Sequence, residues 1–392
     1  MAPRIILHIG QQKTGTTALQ LALVADRERL REAGVLYPDV GHLQERRSSA
    51  LRPSHNGLFY GLEGQDTSRL VATPEAIHAE LEREIEASAA HTVVLSAERA
   101  FQAADHQADV LARLDAIVPG PKQVVAYLRR PDHYVISFHK HDVRMGARIA
   151  GLHTPKRMAR LERTSRLDHI RALGLYADRY GSVELFRYEH VPNTVSHFYE
   201  AVLELEPPAE LARRANPSIP AALTDLVREH VAIHGRLARR QIRALVAFGE
   251  RERVDLLGPA NRARLVDFYR PHNEYLGSLM GRPVLFDDLD DAVEPDPDSI
   301  SVARANERYR DVFAALLAVQ DVDTLRARCL VLEQHGRHAE ASQVFEAASR
   351  RLSQMEIESF RIDLEQSSKG RWSIGDEGYV EVHPAAPTED RA

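Results

Sequence analysis

The chain is 392 residues long and 44% hydrophobic, with 51 Lys and Arg against 57 Asp and Glu and a net charge of −6. That is too long for one minimal domain and apolar enough for a substantial core, while the negative balance argues against non-specific nucleic-acid binding, which a polyanion would repel. A single cysteine, Cys329, excludes an intrachain disulfide or a cysteine-built metal cluster and fits a reducing compartment.

The first element is the apolar run RIILHI, Arg4 to Ile9, followed at once by the turn GQQKTGTT, Gly10 to Thr17, and a helical pattern from Ala18 to Ala33. The run before Gly10 is too short for a signal-peptide core. No run approaches the roughly 18 apolar residues of a membrane span, so the expected location is cytoplasmic. Three further runs read as strands: TVVLS (Thr92 to Ser96), QVVAYL (Gln123 to Leu128) and VELFRY (Val183 to Tyr188). The first three of the four are almost continuously apolar, as strands covered on both faces are. Helical patterns over Pro74 to Ala89, Gln107 to Val118 and Asp132 to Met145 separate them. The alternation predicts an α/β fold: a parallel sheet of four to five strands flanked by helices, with ligands bound beyond the C-terminal strand ends.

From Pro220 to Gly281 the pattern is helical, and DDLDDAVEPDPDS (Asp287 to Ser299) reads as a linker. The expected division is one domain over residues 1–285, an acidic linker over 286–300, a helical hairpin over 301–365 as a C-terminal appendage, and a polar tail over 366–392. Within the hairpin, Ala341, Phe345 and Ala348 have the small–large–small spacing of a tetratricopeptide-type helix. It occurs in one copy, and stacking repeats need neighbours, so a single unit is the most it can be. These helices are candidates for protein contacts.

A strand, a glycine turn and a helix start together make an anion trap, because unbonded backbone N–H groups and the helix dipole both favour negative charge. A nucleoside-triphosphate loop reads G-x-x-x-x-G-K-[ST]. Gly10 and Gly15 keep that spacing, but Thr16 stands where the lysine belongs, and the lysine is Lys13. A lysine inside the loop sits nearer the phosphate next to the ribose. No strand ends in a clear Asp suited to magnesium. The turn therefore suits a donor shorter and less charged than ATP.

The stretch HIGQQKTGTTALQ resembles the 5′-phosphosulfate loop of the PAPS-dependent sulfotransferases, its bacterial branch especially. The donor in that family is 3′-phosphoadenosine 5′-phosphosulfate, and the resemblance implies that Lys13, Thr14, Gly15, Thr16 and Thr17 hold its 5′ end. No metal is required in principle, because the transferred group carries one charge.

A second block, YLRRPDHYVISFHKH, puts Arg129 at a strand end and Ser137 eight residues on, inside the following helix. A guanidinium fork plus a hydroxyl suits a monoester phosphate. The pair resembles the family's arginine and serine that grip the donor's 3′-phosphate. In FRYEH, Tyr188 matches a tyrosine that lies near the adenine, and in RRANPS, Arg214 matches a residue that helps to close the site. The Arg-Lys-Gly run of the animal enzymes is absent. The resemblance spans residues 4 to 220 and more loosely reaches 285.

Transfer to a hydroxyl needs a general base. Two residues are candidates: Glu98, just after the second strand in VVLSAERAF, and His55, in RPSHNGLFYGL. His139 and His141 sit two apart on a helix and point to different faces, which disfavours one shared ion. Lys140 to Arg166 holds eight Lys and Arg against two acids, a rim for an anionic acceptor or the donor, or a solvated helix. The expected function is sulfuryl transfer from the phosphosulfate donor to an acceptor hydroxyl, plausibly on a carbohydrate. The alternatives are a P-loop nucleotide or small-molecule kinase and a non-catalytic scaffold of the same fold.

Overall fold

The structure is a computed structural model and describes residues 3–44, 51–64, 70, 72–105, 109–164, 166–208, 218–249, 252–318, 372–374 and 380–382. Five strands form one all-parallel sheet: β1 (Arg4–His8), β2 (Val35–Leu36), β3 (Thr92–Ser96), β4 (Lys122–Leu128) and β5 (Val183–Arg187), in the order β2-β3-β1-β4-β5. The register pairs His8 with both Ser96 and Val125, so β1 ends level with β3 inside the sheet. The chain leaves β1 for one side of the sheet and later crosses to the other at β4. Such a reversal leaves a crevice beyond the C-terminal ends of the central strands.

Alternation along the strands divides the core in two. Ile6, Val94, Val125 and Tyr127 face α1 (Thr16–Ala25), α2 (Arg27–Glu32) and the short helix at Thr194–His197. Ile5, Leu7, Val93, Leu95, Val124 and Ala126 face the opposite layer, built from α3 (Asn56–Glu63), α4 (Pro74–Ala87) and α5 (Val110–Ile117), with Ala172 and Tyr269 from later helices. All ten of these strand side chains are fully buried, and each Ile, Leu and Val among them contributes on the order of 1.5–3 kcal/mol. A third cluster packs Tyr134, Val135 and Phe138 of α6 (Pro131–Arg144) on Met158 and Leu161 of α7 (Pro155–Leu161) and on Leu265.

The α/β class and the parallel sheet are as the sequence predicts. Three details differ. The fifth strand, β2, is two residues long and follows the left-handed turn at Gly34 (φ 73°), too short to leave a periodic signal. The single helix expected from Ala18 to Ala33 breaks at Asp26, whose carboxylate takes a two-pronged pair from Arg29 (2.6 and 2.9 Å). The acidic stretch read as a linker is packed instead. Arg187 holds Asp287 (2.6 Å), Arg130 holds Asp288 (2.9 Å), and Leu289 and Ala292 enter the core.

The chain divides into two compact units, Met1–Arg236 with Glu250–Glu307, and Leu237–Gly249 with Arg308–Ala392. The acids at 287–299 therefore belong to the first unit. In the second, Phe248 of the helix Arg239–Phe248 meets the Tyr309 ring edge-on at 5.9 Å. The hairpin expected over 301–365 is described only as the helix Val302–Ala318; the tetratricopeptide-like spacing lies outside the described residues. Among the described residues no helix is long and apolar enough to cross a membrane.

Three histidines are sealed beneath the sheet ends. Burial pushes His8 from 6.5 down to about 4, and His55 and His169 down to about 3. All three are neutral in the folded chain and take protons more readily when it unfolds. Their contribution is complete above pH 6.5 and is lost as the pH falls toward 3–4. By pH 5 each costs about 2 kcal/mol of stability. Thermal unfolding should therefore show a steep loss of Tm between pH 6.5 and 5, and a flat profile there would contradict the burial of these rings.

Candidate functional site

The turn after β1 takes its shape from three left-handed residues, Gly10 (φ 53°), Lys13 (φ 73°) and Gly15 (φ 83°). Both glycines are required by contact as well as by φ. A Cβ on Gly10 would lie 2.8 Å from Thr16 Cγ2, and one on Gly15 2.7 Å from Thr194 Oγ1. Lys13 has no such freedom, and its backbone stores roughly 1–2 kcal/mol. The turn is held from within and without. Thr14 donates its hydroxyl to the Gln11 carbonyl, and Thr194 donates to the Thr14 carbonyl at 3.0 Å. Gly15 caps α1 without a side-chain bond. The N–H groups of Gly15 to Thr17 make no backbone hydrogen bond among the described residues.

Gln11 sets this turn against the end of β4. Its side-chain oxygen accepts from the Arg129 N–H (3.0 Å), and its amide nitrogen reaches the Arg166 carbonyl (3.2 Å) and His169 Nε2 (3.2 Å). Arg129 thereby stands over the turn, with a guanidinium nitrogen 3.5 Å from the Lys13 carbonyl and its charge 5.3 Å from the centre of the Tyr188 ring. Its Nε is buried without a hydrogen bond, because Glu189 at 3.8 Å is too distant to accept one. Glu189 instead accepts from the Arg130 N–H (3.1 Å) and His133 Nδ1 (3.2 Å). Burial would raise its carboxyl, but these bonds outweigh it and hold the group below its usual range.

The Lys13 amine lies 3.3 Å from His141 Nδ1 on α6. Burial depresses its pKa, and the charges of Arg144 and Arg129 depress it further. Ser137, half-buried, lies one turn before His141, so the two share a helix face. Lys13, Arg129 and Tyr188 are thus neighbours at the ends of β1, β4 and β5, and Ser137 lies on the helix face that carries His141. A cation crowded by cations and an arginine nitrogen lacking an acceptor are what an anionic ligand would relieve.

Glu98 lies two residues past β3 and reaches the same turn. Its carboxylate accepts from the Thr16 hydroxyl (2.7 Å), Gln20 Nε2 (3.2 Å) and Asn56 Nδ2 (3.0 Å). The Thr14 and Thr16 hydroxyls are therefore engaged inside the protein, and what these residues offer a ligand is their backbone N–H. Thr17 makes no side-chain bond among the described residues. His55 is fully buried. Its Nδ1 accepts from the Ser96 N–H (3.0 Å), and its Nε2–H donates to the Pro38 carbonyl (3.1 Å), which leaves no ring nitrogen for a proton from outside. Arg214 lies outside the described residues.

Four residues of this arrangement were not singled out from sequence: Gln11, Gln20, Asn56 and Glu189. Gln20 had a signal, since it follows Thr16 by four and shares its helix face. Glu189 had one as the acid after Tyr188. Gln11 and Asn56 had none, because their partners lie far along the chain. A cavity of about 1140 Å³ opens beside Arg130, lined by Asp132, His133, Arg253 and Arg262, and includes none of Lys13, Arg129 and Glu98. No protein-family model, no curated protein and no solved structure matches this chain.

Proposed function

We propose that the chain transfers a sulfuryl group from 3′-phosphoadenosine 5′-phosphosulfate to an acceptor hydroxyl, with a carbohydrate as the expected acceptor. The observation that supports this reading is the approach of Arg129 to the Lys13 carbonyl and the Tyr188 ring, which brings the two sequence blocks next to each other. Lys13 and the N–H groups of the turn would hold the 5′ end, Arg129 and Ser137 the 3′-phosphate, and Tyr188 the adenine side. The buried, unbonded Nε of Arg129 fits a ligand that supplies an acceptor there.

In the transfer, the acceptor oxygen forms a bond to sulfur as the bond from sulfur to the phosphate oxygen breaks. Glu98 takes the hydroxyl proton, and Lys13 neutralises the charge left on that phosphate oxygen. His55 has no part in this assignment, since backbone groups occupy both its nitrogens. A second reading has one observation in its favour. Glu98 stands 2.7 Å from Thr16 Oγ1, where a triphosphate site would want a magnesium ligand, which keeps a nucleotide kinase as the competitor.

Calorimetry separates the two. The chain should bind adenosine 3′,5′-bisphosphate in preference to ATP–magnesium, and Arg129→Ala should weaken the bisphosphate by about 1–3 kcal/mol, roughly 5-fold to 150-fold. A preference for ATP–magnesium would transfer the site to the kinase reading. Unchanged bisphosphate affinity in the variant would remove the 3′-phosphate from Arg129.

A further inference from the structure

Glu98 has two oxygens that could take a proton, and their surroundings differ. The residue is half-buried, just past the end of β3, and Gln20, Ser96 and His8 are buried behind it. A carboxylate oxygen offers two lone pairs. Oε2 accepts from Gln20 Nε2 (3.2 Å) and from Asn56 Nδ2 (3.0 Å), so both of its sites are filled. Among the described residues Oε1 accepts only from the Thr16 hydroxyl (2.7 Å), and one of its sites stays open. Thr16 begins α1, where the N–H groups of Gly15 to Thr17 make no backbone hydrogen bond among the described residues. Oε1 is thus the oxygen tied to the turn that would hold the 5′ end of the donor.

Neither amide can turn over and release Oε2. The Asn56 side-chain oxygen accepts from the Arg99 N–H (2.8 Å), and its nitrogen also donates to Ser54 Oγ (3.1 Å). Gln20 Nε2 gives its second hydrogen to Ser96 Oγ (3.1 Å), and Ser96 Oγ is backed in turn by His8 Nδ1 (2.8 Å). A flipped Gln20 would set its oxygen against a carboxylate, two acceptors face to face. The row His8, Ser96, Gln20, Glu98 draws on β1, β3 and α1. Two strands and a helix therefore fix how one carboxylate is presented, and a fixed reacting group is what a transfer step gains from.

We infer that Gln20 is a positioning residue for the transfer: together with Asn56 it occupies Oε2 and leaves Oε1 as the oxygen of Glu98 that takes the acceptor proton. The hydroxyl proton passes to Oε1 while the acceptor oxygen bonds to sulfur and the departing phosphate oxygen keeps the electron pair. This rests on the reading of Glu98 as the base. A double-mutant cycle on bisphosphate release from the phosphosulfate donor tests it, with phenyl β-D-glucoside and water as the acceptor hydroxyls. Gln20→Met keeps the length of the side chain and removes its N–H groups. It should lower kcat by at least about tenfold, as a displaced reacting group does, while the donor KM and the bisphosphate affinity stay within about threefold. In the Glu98→Gln background the same change should move the residual kcat by less than about twofold. Ser96→Ala loosens Gln20 without touching Glu98 and should give the same pattern at about threefold, so it decides the matter if Gln20→Met fails to fold. Normal kcat in these variants overturns the inference. An equal loss with and without the Glu98 carboxylate overturns it as well, because Gln20 then acts on the fold and not through Glu98. Failure of the unaltered chain to bind the bisphosphate is a different result, which removes the donor reading and the inference with it.

Discussion

Lys13→Ala is expected to lower turnover by about a hundredfold to a thousandfold while leaving the thermal midpoint unchanged or slightly raised. The loss follows from the charge that the amine would place on the departing phosphate, a stabilisation of the kind worth roughly 3–4 kcal/mol in a dry site. The stability side follows from the turn. Alanine at a φ of 73° is strained in the same way as lysine, because both carry a Cβ. What the substitution removes is a cation whose pKa is already depressed by burial, by Arg144 and by Arg129, so repulsion is relieved. Release of adenosine 3′,5′-bisphosphate and a melting curve measure the two effects together. Near-normal turnover would remove Lys13 from the mechanism, and a collapsed melting curve would make it a structural residue.

Glu98→Gln should cost about a hundredfold to ten-thousandfold in turnover, the range for a lost general base. The swap keeps shape but replaces one accepting oxygen with a donor. The carboxylate accepts from Thr16 on one oxygen and from Gln20 and Asn56 on the other, so the glutamine oxygen can keep Gln20 and Asn56 while its amide donates to the Thr16 hydroxyl, which also accepts. Affinity for the bisphosphate checks that the fold and the cleft survive, and it should stay within about threefold, or 0.6 kcal/mol. Turnover close to normal with the bisphosphate still bound would mean that the acceptor proton leaves by another route.

What could be read from the sequence was whatever is local or covered on both faces. β3 lies where its apolar run predicts, and β1 and β4 differ by one residue at one end, because strands buried on both sides carry no polar interruption. The Arg129–Ser137 spacing was legible because one helix start fixes both. The bonds around Glu98 were not: Asn56 comes 42 residues before it and Gln20 78 before it, and no periodic pattern links them. His55 shows the same limit from the other side. Its place between the first helix and the second apolar run was legible, but its capture by the Ser96 and Pro38 backbone depends on a loop path that composition does not encode. The acids at 287–299 read as a linker by composition alone, and the arginines that recruit them lie at the ends of other strands.

One side-chain amide of Gln11 clamps the β1 turn to the Arg129 backbone and to the Arg166 carbonyl, so the spacing of the two segments is set by the polypeptide. Under the proposed reading a spacing fixed in this way would select a ligand by molecular length. Charge alone would admit any polyanion and would fade in brine, whereas added electrolyte would leave that selection intact.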